Sequence, residues 1–126
     1  MLGVTVLTSF DEAELRGIGV ERTPGEQVAE LVAMGCRLGL RGVVCSPLEI
    51  MPLRTTFGDA LTIVTPGVRP LGSAADDQQR VMTPAEAVRA GATHLVIGRP
   101  ITAAISPREA ALRIAGEIAS SLPDLR

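Results

Sequence analysis

Arginine, glycine and proline gather at two points of this chain, Thr65-Pro66-Gly67-Val68-Arg69 and Gly98-Arg99-Pro100. Each group ends an apolar run. Glycine lets the backbone come close to a ligand and offer its N–H, and an arginine fork can grip the same group with two donors. The chemistry suited to that donor set is the binding of an anion, above all a phosphate. The stretch between them, from Pro66 to Met82, is long for an α/β connection. It holds Gly67, Gly72, Arg69, Gln78 and Gln79, which suits a lid closing over a bound phosphate. The segment 100–104 can form the short extra helix that completes phosphate sites in barrels. The plainer alternatives are strand packing for Gly98, a rim cap for Arg99 and a surface excursion for the loop. Asp76 and Asp77 read as solvated or capping acids rather than a catalytic pair.

No catalytic set accompanies this binding set. All twelve basic residues are arginine, so neither a Schiff-base amine nor an ammonium acid is available. Arginine does not release a proton near neutral pH and cannot stand in. The chain has no Gly-x-Gly-x-x-Gly, no Walker loop and no serine in a nucleophile elbow. Its single histidine, His94, opens a strand at the amino end of the sheet, which in a barrel is the stability face. Cys36 and Cys45 are nine apart with one histidine in the whole chain, so they read as reduced core thiols rather than zinc ligands.

The elements that must carry the anion-binding residues are marked by a recurring start signal. Thr23-Pro24-Gly25-Glu26, Ser46-Pro47-Leu48-Glu49, Thr83-Pro84-Ala85-Glu86 and Ser106-Pro107-Arg108-Glu109 each join a hydroxyl cap, an N1 proline and a third-position glutamate. They predict four helices. Short apolar runs at 3–8, 42–46, 61–65 and 94–98 predict four strands, apolar enough to expect cover on both faces as in a parallel sheet. Gly19, Gly39, Gly58 and Gly91 fall where helical turns should end. Four parallel βα units can be a small doubly wound sheet or half of an eight-stranded barrel. Either way the functional groups belong at the carboxyl ends of the strands.

Composition bounds the remainder. The 126 residues make one domain or part of one, with 46% apolar residues for a core. A net charge of −2 gives no basic footprint for nucleic acid, and no apolar run reaches the length of a membrane span. With no basic-then-apolar leader after Met1, the expected location is cytoplasmic. The chain starts almost directly on a strand, so a preceding portion is expected to be missing.

Read together, L-G-V-T-V-L-T-S, G-V-V-C-S, V-T-P-G-V-R-P, D-D-Q-Q-R-V-M-T-P and L-V-I-G-R-P-I-T closely resemble the bacterial form of orotidine 5′-phosphate decarboxylase. The resemblance runs from Leu2 to about Ile118. It implies a (β/α)8 TIM barrel, usually dimeric, converting orotidine monophosphate to uridine monophosphate and carbon dioxide without metal or organic cofactor. The chain then corresponds to βα units 5–8, a single half-barrel domain over 1–126. By the same resemblance Thr8 and Ser9 would lie near the pyrimidine or ribose. Pro66, Arg69 and Gln78 would belong to the phosphate-closing loop, and Gly98 and Arg99 would hold the phosphate. The family's Lys-Asp-x-Lys-x-x-Asp string has no counterpart here. The expectation is a chain that retains the phosphate site and is inactive alone. Its partner would be a second copy or a complementing N-terminal half. Two alternatives stand beside it: a non-catalytic nucleotide-binding module that self-associates, and a fragment of a related sugar-phosphate decarboxylase.

Overall fold

The computed structural model describes residues 1–70 and 82–122. Four strands, β1 (Gly3–Val4), β2 (Gly42–Val44), β3 (Thr62–Pro66) and β4 (His94–Val96), pair in parallel in the order β1-β2-β3-β4. Strand order follows chain order, with no reversal. That excludes the doubly wound alternative, whose ligand crevice lies where the order reverses. β1, β2 and β4 are shorter than the apolar runs that predicted them, and β3 keeps the length of its run, displaced by one residue. The structure has the architecture of half a parallel barrel, with helices on its outer side.

Those helices are α1 (Glu12–Gly17), α2 (Pro24–Arg37), α3 (Ile50–Phe57), α4 (Pro84–Arg89), α5 (Arg99–Thr102) and α6 (Pro107–Ser121), with a 3₁₀ turn at Pro47–Glu49. Alternation along the strands decides what they cover. Val43, Cys45 and Ile63 point to the helical side and pack with Val28, Val32, Ile50, Leu53 and Ala87. Thr65 is fully buried, and among the described residues its Oγ1 meets no hydrogen-bond partner better than the neighbouring Cys45 thiol. Burial pushes the Cys45 thiol up to about 12, and the nearby Glu49 charge adds to the rise. It stays neutral and unreactive at physiological pH.

The expectation of cover on both faces is not met among the described residues. Val4, Val44, Val64 and His94 are aligned across the sheet by register, and Val96 sits beside Pro66. Val4 is 66% exposed and Val96 52%. An all-apolar strand reads the same whether its second face is covered by its own chain or by something else.

The start signals divide in two. Thr23 and Thr83 form complete capping boxes: each threonine Oγ1 accepts from the N3 amide, and Glu26 or Glu86 accepts from the cap amide. Those bonds hold both glutamates below the ordinary carboxyl range. Ser46 instead donates its hydroxyl to the Glu49 carboxylate and opens a 3₁₀ turn, and Ser106 makes no side-chain cap. Thr23→Ala should therefore cost about 1 kcal/mol by thermal or urea unfolding, whereas Ser106→Ala should change nothing measurable. The Thr23 effect should persist above the unfolded glutamate pKa and shrink as pH falls through the lowered Glu26 value. Gly19, Gly39, Gly58 and Gly91 all carry positive φ at helix ends, as the sequence predicts.

Candidate functional site

Parallel pairing brings the two predicted anion-binding points to the same end of adjacent strands. Pro66 at the end of β3 pairs in register with Val96 at the end of β4. Gly67 follows one residue beyond the first, and Gly98-Arg99 two to three residues beyond the second. Neighbouring strands lie about 4.8 Å apart, so both segments border one small area above the sheet.

Each segment is locally built for its place. Gly67 has φ 77°, a left-handed conformation that turns the chain sharply out of β3. The turn is pinned by the Arg69 N–H, which donates to the Met82 carbonyl at 3.0 Å, and by a bridge between Val68 and Met82. Buried Val68 anchors this base in the core. The two ends of the long loop are thus tied together directly above β3. Arg69 and Pro66 are half-buried at this base.

Beyond β4 the chain turns at Gly98 into the short helix α5, the extra helix that the sequence predicts. The Gly98 carbonyl accepts from the N–H groups of Ile101 and Thr102. A Cβ built on Gly98 would meet no atom within 4 Å, so the space above this residue is open. Arg99 is exposed, and its guanidinium has no hydrogen-bond or ion-pair partner among the described residues. It is a free fork beside an open backbone position, at the end where β3 also terminates.

Thr8 and Ser9 lie in an exposed turn after β1, at the same end of the sheet. β1 and β4 are the two outer strands of the sheet, so these hydroxyls and Arg99 follow opposite margins of it. Gln78, with the rest of 71–81, lies outside the described residues. His94 opens β4 at the opposite end, where its ring meets the Thr93 hydroxyl at 3.1 Å. The Thr93 hydroxyl in turn donates to the Ile63 carbonyl at 2.8 Å, latching β4 onto β3.

Sequence reasoning missed Asp11, which caps α1 through a full box with Glu14 directly after the Thr8-Ser9 turn. The Asp-x-x-Glu spacing was the available signal, but it lacks the proline of the other four. A groove of about 580 Å³ on the helical side is lined by Glu21, Arg22, Glu26, Glu30, Thr56 and Phe57. Its three carboxylates make it unsuited to an anion, and it contains none of the predicted site residues.

Comparison with known proteins gives this arrangement relatives. A model of the Orotidine 5′-phosphate decarboxylase / HUMPS family matches residues 1–114. Orotidine 5′-phosphate decarboxylase of Opitutus terrae is 55% identical over 120 residues, covering 95% of this chain and 52% of the relative. That of Geobacter sp. strain M21 is 54% identical over 118 residues, covering 94% and 49%. The crystal structure of orotidine 5′-phosphate decarboxylase from Lactobacillus acidophilus superposes with a TM-score of 0.76 at 37% identity, over 93% of this chain and 48% of that one. The chain spans about half the length of the curated relatives it matches.

Proposed function

The chain belongs to the orotidine 5′-phosphate decarboxylase family, and from that we propose that it is the phosphate-binding half of such a decarboxylase barrel, its βα units 5–8. The ligand is the 5′-phosphate of orotidine or uridine monophosphate. Gly98 and Arg99 hold it, Pro66, Arg69 and Gln78 close over it, and Thr8 and Ser9 face the ribose or pyrimidine. One observation carries the reading: the ends of β3 and β4 are paired neighbours, with a left-handed glycine on one and an exposed arginine, unpartnered among the described residues, on the other. No metal or organic cofactor enters this reading.

Decarboxylation of orotidine monophosphate gives uridine monophosphate and carbon dioxide. It requires a group that protonates the carbon left behind. The chain has no lysine to do so. A phosphate site remote from the reacting carbon contributes binding energy that closes the loop and assembles the transition-state surroundings. We infer that this chain supplies that energy without the groups that use it, so that alone it binds the nucleotide and does not turn it over.

The test has two readouts. Orotidine monophosphate incubated with pure chain should show no loss of orotate absorbance. By calorimetry, uridine monophosphate should bind at least roughly 100-fold more tightly than uridine, since charge-assisted bonds to the phosphate are lost with it. Turnover would overturn the inactivity, and equal affinity for nucleotide and nucleoside would overturn the phosphate site.

A further inference from the structure

We propose that Glu117 of α6 is a positioning residue for the phosphate site: it makes no contact with the ligand and fixes the base of the long loop from behind. The inference rests on the phosphate reading above and deepens it.

Donor accounting at the start of α4 points to this residue. The first amides of a helix find no acceptor inside it. In α4, Pro84 has no N–H, the Glu86 amide donates to the Thr83 hydroxyl at 3.2 Å, and the Ala87 amide donates to the Thr83 carbonyl at 3.0 Å. That leaves the amide of Ala85, a buried residue. It donates to Glu117 Oε1 at 3.3 Å, from a side chain 32 residues further along. Glu117 is half-buried, in line with the buried Ala110 and Ile114 on one face of α6. The local capping box is therefore completed by a different helix.

This cap lies against the loop base. Met82 directly precedes Thr83, and its carbonyl accepts from the Arg69 amide at 3.0 Å. Hydrogen bonds and two short stretches of chain thus link Glu117 through Ala85, Thr83 and Met82 to Arg69. The same α6 packs on both α4 and α5, and α5 begins at Arg99. One helix backs both segments of the anion-binding set. A binding constellation needs its parts held to within about 0.5 Å by such supporting contacts. The sign of the charge separates this role from a plain electrostatic one. A carboxylate near a phosphate repels it, so on charge alone removing Glu117 would tighten binding. Positioning predicts the reverse.

Calorimetry with uridine monophosphate and with uridine, on four chains, tests this. Glu117→Ala should weaken the nucleotide by about tenfold and leave the nucleoside within about twofold, since only the phosphate uses the displaced segment. Glu117→Gln keeps the acceptor and should stay within about twofold of wild type for both. Glu109→Ala takes a carboxylate from the exposed face of the same helix and should change neither. Amide exchange at Ala85 and Arg69 should quicken about tenfold in Glu117→Ala and hold its wild-type rate in Glu117→Gln. A Glu117→Ala chain that melts earlier yet binds the nucleotide like wild type would overturn the proposal and leave the phosphate site standing. Equal weakening of nucleotide and nucleoside, or tighter nucleotide binding, would do the same. A wild-type chain that does not distinguish nucleotide from nucleoside would overturn the phosphate reading and this inference with it.

Discussion

Replacing Arg99 with alanine is expected to weaken uridine monophosphate binding by about 30- to 150-fold, the loss of about 2–3 kcal/mol of charge-assisted hydrogen bonding. The arginine is exposed and free of partners among the described residues, so its removal should leave the fold unchanged and act on the ligand alone. Arg99→Lys keeps the charge but loses the planar fork, and should fall between the two. A pH series adds a second signature. The ligand's second phosphate pKa is about 6, so wild-type affinity should rise between about pH 5 and pH 7 and level off above. Without Arg99 that rise should flatten, because the group that distinguishes dianion from monoanion is gone. Calorimetry on the three chains checks both. Affinity within about twofold of wild type for Arg99→Ala would remove this residue from the site.

The largest stability effect is expected at the opposite end of the sheet. Arg54, on α3, donates through Nε to the Gly91 carbonyl at 2.8 Å and through Nη1 to the Gly58 and Leu61 carbonyls at 2.8 and 2.6 Å. One side chain thus ties the end of α3, the entry to β3 and the turn between α4 and β4. Arg54→Ala leaves three carbonyls short of a donor and should cost about 3 kcal/mol, lowering the melting temperature by roughly 10 °C. Gly91 is the counterpart. It sits at φ 109°, and a Cβ there would lie 2.7 Å from Arg54 Cγ and 2.9 Å from Nε. Gly91→Ala should cost about 2 kcal/mol or more, from backbone strain and displacement of the arginine together. The two effects should not add. Once Arg54 is alanine the collision is gone, and Gly91→Ala should then cost only the backbone part, about 1 kcal/mol. A double-mutant cycle by chemical unfolding checks this. Strict additivity would mean that Arg54 and Gly91 do not interact.

What the sequence made legible is local. Thr23-Pro24 and Thr83-Pro84 predict helix starts because cap, proline and glutamate lie within four residues and need nothing else. Ser46 and Ser106 carry the same letters and do not form the same cap, since the Ser46 hydroxyl bonds to Glu49 instead. The α1 helix was missed because Asp11 caps it without a proline. Gly98-Arg99 and Pro66-Gly67 were readable as strand ends, but their adjacency came from pairing, which only the fold supplies. The Arg54 ties were out of reach, since the three carbonyls stand 4, 7 and 37 residues away. The uncovered face was misread because valine at Val4, Val44 and Val64 does not say whose side chains will meet it.

The β1-β2-β3-β4 order has a consequence for how this chain assembles. Every strand hydrogen-bonds to the one made just before it, so none must wait for a later segment to be slotted between two earlier ones. Growth during synthesis can proceed unit by unit, each helix–strand pair docking on a finished edge. Duplication of a unit at either margin would extend the sheet without rethreading any loop.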